Sequence, residues 1–369
     1  MKTPAAVLYG LNQPFVVEEV ELDPPGSGEV LVEMAGGGIC HSDWHVVDGV
    51  IPKPQPIILG HEGSARVLEC GPNVSLVKAG DPVVLSFLPE CGACYQCMRG
   101  KANLCDGSMQ FRSGVLADGT TRFHRNGTRI HHYNGVSSFA QYAVVPERAC
   151  VPIDPRVPLD KAALIGCAVS TGVGAVIFSA NVLPGSTMAV FGAGGVGLNT
   201  VQGGALVNAT RVIAVDVNPN KLAMARQFGA TDTVDAREQD PVQAILELTG
   251  GRGVDYAFEA IGRPETVRQA FESLGKGGTA VAIGIGSKDA CIEIPPQHLV
   301  YGERRLVGCF YGSARPRADF ARFADLYLAG RLKLDQLVTR EWGLSEINEA
   351  FRAMNAGEVA RGIINRYTA

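Results

Sequence analysis

The sequence predicts an α/β protein in which a doubly wound parallel sheet is joined to a second, mostly β domain. Three observations carry that prediction. Upstream of residue 168, short strand-like runs alternate with turns rich in Gly and Pro. Downstream, strands and helices alternate regularly to about residue 311. Glycine is abundant, 45 of 369 residues, which suits tight turns and close backbone approaches better than a helical bundle. The expected division is residues 1–168, residues 169–311 and a C-terminal segment, 312–369.

In the first part the strand-like runs are 15–22, 29–34, 64–70, 82–87 and 141–145, each bounded by turn residues. In the second, strands are expected at 188–191, 211–217, 255–260 and 278–285. Helices at 196–206, 220–228, 241–248 and 264–274 separate them, the pattern of a parallel sheet with crossover helices. Helical periodicity returns at 318–328 and 345–356, before a last strand-like run, 362–367. No internal repeat or low-complexity tract is present.

Composition excludes several classes. With 46% hydrophobic and 19% charged residues the chain is not disordered. Its 33 Lys+Arg against 37 Asp+Glu argue against a nucleic-acid or membrane-surface binder. No Asp, Glu, Lys or Arg occurs between Lys161 and Arg211, but Pro184-Gly185 and repeated glycines break that stretch, so a membrane span is not expected. The N-terminus lacks a signal-peptide pattern, so the expected location is cytoplasmic and the ten cysteines are read as thiols or metal ligands.

Gly192-Ala193-Gly194-Gly195-Val196-Gly197 fits the G-x-G-x-x-G fingerprint. It follows an apolar strand, opens a helix, and is followed by Asp216 at the end of the next strand. Glycines at 192, 194, 195 and 197, with Val196, let backbone N–H groups approach a pyrophosphate at a helix N-terminus. Asp216 accepts hydrogen bonds from ribose hydroxyls and repels a 2′-phosphate, and 217–220 hold no arginine to receive one, so NAD is expected over NADP. Lys221 can reach the same ribose.

Cys91, Cys94, Cys97 and Cys105 are spaced C-x2-C-x2-C-x7-C, with Gly92 and Gly100 allowing tight turns. Four thiolates make a closed structural zinc site, with an iron–sulfur cluster as the alternative. Backbone N–H groups should donate to the sulfurs to offset their charge. Cys40-His41-Ser42-Asp43-Trp44-His45 and Gly60-His61-Glu62-Gly63 supply further ligand types. Spacing alone does not join residues 40, 61 and 167; taken alone, Cys167 reads as a small buried hydrophobe. Cys70, Cys150, Cys291 and Cys309 are expected to pack in the same way, and His131 and His132 to be solvated in a polar loop.

The ordered set of Gly60-His61-Glu62-Gly63, the four-cysteine lobe, Gly166-Cys167, and Gly192–Gly197 with Asp216 resembles the zinc-dependent medium-chain alcohol dehydrogenases over essentially the whole chain. The separation of Cys105 and Cys167 is similar to the longer-lobed branch, which includes glutathione-dependent formaldehyde dehydrogenases. The opening and the Phe123-His124 region are similar to actinobacterial dye-linked alcohol dehydrogenases that hold NAD tightly. The resemblance implies a Rossmann sheet, a GroES-like catalytic domain to which the C-terminal segment returns, NAD, two Zn2+ per chain, a small alcohol or aldehyde substrate and a homodimer. It implies a catalytic zinc on Cys40, His61 and Cys167, with Glu62 approaching the metal during ligand exchange and Asp43 orienting His61. Ser42 would take the alcohol proton and pass it through the nicotinamide ribose to His45, an imidazole whose ordinary pKa of about 6.5 suits release to solvent. His41 and Arg361 match positions that contact the pyrophosphate, and Phe87 and Tyr133 positions that line the pocket.

The chain departs from the formaldehyde branch where that branch binds its charged adduct. The loop reads Val50-Ile51-Pro52-Lys53-Pro54, without a carboxylate, and Met109 replaces an arginine. An apolar or aromatic primary alcohol is therefore the expected substrate. Three other readings are a dye-linked enzyme turning over bound NAD, a thiol-adduct (formaldehyde) dehydrogenase and a non-enzymatic NAD-binding protein. The last would have lost its catalytic ligands, and here they are all present.

Overall fold

The computed structural model describes residues 1–368, which fall into two units: Met1–Cys167 together with the segment from Arg315 onward, and Ala168–Ala314. The chain thus leaves the second unit at 314/315, three residues beyond the expected 311/312.

Among the described residues, five strands of the first unit close a barrel: Lys2–Leu8, Val16–Leu22, Phe123–Arg125, Thr128–His132 and Ile57–Ile58. Closure removes exposed strand edges. Beside it a seven-stranded sheet is centred on Glu29–Ile39, which pairs antiparallel with Glu62–Cys70, Tyr142–Pro146 and Gly362–Arg366. Two of those pairings build the site. Gly38 lies opposite Glu62, and Gly362 opposite Ile39, so residues 40, 62 and 361 converge at one sheet end. A Cβ on Gly38 would fall within 2.9 Å of the Glu62 Cβ, so glycine there makes room for the carboxylate.

The C-terminal segment joins this unit through its own apolar face. Ile347, Ala350, Phe351 and Met354 are buried at i, i+3, i+4 and i+7 of helix Ile347–Asn355. Phe351 stacks on Phe15 with centroids 5.2 Å apart, and Phe139 meets Phe15 edge-on at 6.3 Å.

The second unit is a six-stranded parallel sheet ordered Asp232–Asp235, Arg211–Asp216, Thr187–Phe191, Val254–Glu259, Leu274–Ala282, Arg305–Gly308. In sequence this is 3-2-1-4-5-6, the Rossmann order. Met188, Ala189, Val190 and Phe191 are all buried, as expected for a parallel strand covered on both faces. Side-chain caps start two of its helices: Asn218 accepts from the Asn220 N–H and Asp240 from the Gln243 N–H, both at 2.9 Å. No single helix among the described residues is long and apolar enough to cross a membrane.

Two expectations need correction. His132 is not solvated but fully buried: its Nε2 accepts from the Arg122 N–H at 3.2 Å, and burial pushes its pKa down to about 3. Its strand turns back on its neighbour through Asn126-Gly127, both at positive φ, a hairpin turn that carries polar-looking residues into the barrel. Cys291 is exposed rather than packed, and Cys70 is half-buried.

Candidate functional site

Cys40 caps the short helix His41–Val47 where Glu29–Ile39 ends. His61 follows Gly60, whose φ of +90° and contact with the Phe139 backbone leave no room for a side chain. Cys167 ends the turn Ala163–Gly166. One ligand atom each from Cys40, His61, Glu62 and Cys167 lies within 4.8 Å of the others, and all four residues are buried. His61 Nδ1 lies 3.1 Å from Asp43 Oδ1, and Nε2 lies 3.3 Å from Cys167 Sγ. With its proton on Nδ1, the ring turns the Nε2 lone pair toward the sulfurs. Asp43 is fully buried, and its Oδ1 also accepts from the Gly60 N–H at 3.1 Å.

The electrostatics of this cluster suit a cation. The hydrogen bond from Cys167 holds the Cys40 thiol well below its ordinary pKa, and the same bond pushes Cys167 up. Burial disfavours charge on His61, but Asp43 and Cys40 outweigh it and push its pKa up. Burial also pushes Glu62 up, against the Arg361 guanidinium bonded to its Oε1. Glu62 Oε2 and Asp43 Oδ2 are buried with no hydrogen-bond partner. Two soft sulfurs, one imidazole nitrogen and an underused carboxylate fit Zn2+ with an open position, and binding would release the protons these ligands carry.

Cys91, Cys94, Cys97 and Cys105 likewise bring their sulfurs within 4.8 Å of one another. The Cys91 N–H donates to Cys105 Sγ and the Cys94 N–H to Cys91 Sγ, each at 3.2 Å. The Cys97 N–H is the main cause holding Cys94 down at about 6, whereas burial pushes Cys97 up to about 12. Four thiols and no other ligand type make a closed site.

In the second unit, Gly192 has φ +92° and helix Gly195–Leu206 begins without a side-chain cap. A Cβ on Gly197 would fall 1.7 Å from the Gly192 carbonyl oxygen, so only glycine fits. Gly194 faces open space. Asp216 Oδ2 accepts from the Ala193 N–H at 2.7 Å and Oδ1 from the Asn218 N–H at 2.9 Å, tying the acid to the fingerprint loop. Lys221 is half-buried on helix Pro219–Gln227. Glu259 was not anticipated. It is fully buried at the strand end beside the switch point, where its Oε1 gathers the Ile261 and Gly262 N–H groups and the Thr266 hydroxyl. A strand-end acid followed by Gly262 was the available signal.

The remaining residues are distributed unevenly. Ser42 and His45 are half-buried, three residues apart on one helix face. No hydrogen bond joins them; His45 Nδ1 instead lies 3.4 Å from Asp48 Oδ2. His41 is exposed at the helix start. Arg361 is buried against Glu62, a pairing that sequence reasoning missed because 299 residues separate the two, and its Nε has no partner. Phe87 and Tyr133 present their rings edge-on to His61 at 5.2 and 5.8 Å.

Two metal-competent clusters in the β unit, on a chain whose other unit is a dinucleotide-type sheet, place this protein among the metal-dependent dehydrogenases. Residues 26–155 match the Alcohol dehydrogenase GroES-like domain and residues 195–329 match the Zinc-binding dehydrogenase family. The chain belongs to the zinc-dependent alcohol dehydrogenases of the medium-chain superfamily and is an oxidoreductase. It is 39% identical over 367 residues to an NDMA-dependent alcohol dehydrogenase of Amycolatopsis methanolica, covering 99% of each chain. It is also 39% identical to an S-(hydroxymethyl)glutathione dehydrogenase of Synechocystis sp., covering 99% of this chain and 100% of the other. The crystal structure of benzyl alcohol dehydrogenase from Acinetobacter calcoaceticus superimposes with a TM-score of 0.94 at 33% identity, covering 99% of each chain.

Proposed function

We propose that this enzyme reversibly oxidises an apolar or aromatic primary alcohol to its aldehyde, with NAD as hydride acceptor. The observation that carries this reading is the pair of aromatic edges, Phe87 and Tyr133, against His61. Loop residues 50–54 add no carboxylate, and Met109 is half exposed. In this reading Cys40, His61 and Cys167 hold the catalytic zinc, Glu62 assists ligand exchange, and Cys91, Cys94, Cys97 and Cys105 hold the structural one. Zinc supplies a Lewis acid for the alcohol oxygen and NAD the hydride acceptor. Asp43 fixes the His61 tautomer, Ser42 would take the substrate proton and His45 would pass it to solvent. Gly192, Gly194, Gly195, Val196 and Gly197 would hold the pyrophosphate, and Asp216 and Lys221 the adenosine ribose; the family resemblance gives His41 and Arg361 as further pyrophosphate contacts.

A second reading, supported by the likeness to an NDMA-dependent enzyme, keeps NAD bound and reoxidises it with an external acceptor. The test measures kcat/KM for benzyl alcohol, octanol, ethanol and S-hydroxymethylglutathione, each with added NAD and separately with an artificial electron acceptor. Benzyl alcohol or octanol should exceed the adduct by at least tenfold, the loss from one missing charge-assisted contact. An adduct value above the other three would overturn the apolar-alcohol reading. Turnover with the acceptor alone would select bound NAD.

We also propose a cytoplasmic homodimer. The outermost strand, Arg305–Gly308, has one unpaired edge, and self-pairing of such edges is a common route to two-fold assembly. Light scattering at micromolar concentration should give twice the 39.0 kDa chain mass; the chain mass itself would contradict the dimer.

A further inference from the structure

Lys53 is the one cation in the loop between helix His41–Val47 and His61. Its ammonium donates to the Arg112 carbonyl at 2.7 Å and to Asn134 Oδ1 at 3.0 Å. It also sits 5.4 Å from the centre of the Tyr133 ring. That ring is one of the two lying edge-on to His61, and its hydroxyl donates to the Ser42 carbonyl at 3.3 Å. A single aromatic side chain therefore separates Lys53 from the metal-ligating imidazole.

An ammonium carries three N–H donors and a full charge. Two donors go to neutral acceptors, and among the described residues Lys53 forms no ion pair. Burial, and secondarily the charge of the Arg112 guanidinium, push Lys53 down to about 8. A half-buried cation beside a second cation is unfavourable until something supplies negative charge.

We infer that Lys53 is a specificity-determining residue that receives a carboxylate carried on the far end of an aromatic alcohol. The inference rests on the aromatic-alcohol reading and deepens it. With the hydroxyl at the metal site, a carboxylate at the para position would have to reach Lys53 past the edge of the Tyr133 ring, which neighbours both His61 and Lys53. Residues 50–54, which carry no carboxylate, thus offer a cation for an anionic ligand.

The test compares 4-(hydroxymethyl)benzoate with 4-methylbenzyl alcohol, which has the same shape and no charge, with added NAD and separately with an artificial electron acceptor. For the wild-type protein, kcat/KM should favour the carboxylate by about tenfold, one charge-assisted contact. That preference should shrink as ionic strength rises from about 0.01 M to about 1 M. In Lys53→Met the preference should fall to about one or below, and Lys53→Arg should keep most of it. The wild-type ratio and its salt dependence decide the matter even if Lys53→Met fails to fold. A wild-type ratio at or below one overturns the inference. So does a Lys53→Met protein with the wild-type ratio, in which case Lys53 only latches its loop to Arg112 and Asn134. Turnover of neither alcohol would overturn the aromatic-alcohol reading on which the inference rests.

Discussion

Cys167→Ser is expected to lower kcat by at least about 1,000-fold, on the order of 4 kcal/mol of barrier. The substitution removes one of two soft ligands from a buried set whose atoms lie within 4.8 Å of one another. The Cys40 sulfur would lose the hydrogen bond that holds its thiol down, and the remaining thiol, imidazole and carboxylate make a weaker zinc site. Asp43→Ala should act more mildly, about 10- to 100-fold, because it frees the tautomer and orientation of His61 without removing a ligand. Steady-state kinetics on both variants check the order. Equal losses would mean that Asp43 does more than orient the ring, and a fully active Cys167→Ser protein would remove that residue from the site.

Asp216→Ala should lower the ratio of kcat/KM with NAD to kcat/KM with NADP by at least about 100-fold. Each charge-assisted hydrogen bond to a ribose hydroxyl contributes about 1.5–3 kcal/mol, and the repulsion of a 2′-phosphate disappears with the carboxylate. The same change strips the Ala193 N–H of its acceptor, so the melting temperature should fall as well. A wild-type enzyme that uses NADP as readily as NAD, or a variant with an unchanged ratio, would contradict the role given to Asp216.

What was legible in the sequence follows from how local each feature is. The four-cysteine lobe spans fifteen residues and the fingerprint six, so each is written in one stretch of chain. The parallel sheet was legible because Thr187–Phe191, Arg211–Asp216 and Val254–Glu259 are rich in apolar residues and each is followed by a helix; Asp232–Asp235, short and mostly polar, was missed. The strands Phe123–Arg125 and Thr128–His132 were missed for the same reason, although Asn126-Gly127 marked the turn between them. The dispersed site was not legible from spacing. Cys167 lies 106 residues from His61, and Arg361 reaches Glu62 only because the C-terminal strand pairs beside Ile39. Resemblance grouped Cys40, His61 and Cys167; the contact that buries Arg361 against Glu62, and the place of Lys53 over Tyr133, came only from the folded chain.

Elemental analysis of zinc in the purified native protein tests the central claim most directly, because both clusters rest on ligand identity and convergence. Two zinc ions per chain are expected in the wild type and one in Cys167→Ser, with the four-cysteine lobe still loaded. One zinc in the wild type, or two retained by Cys167→Ser, would contradict the account.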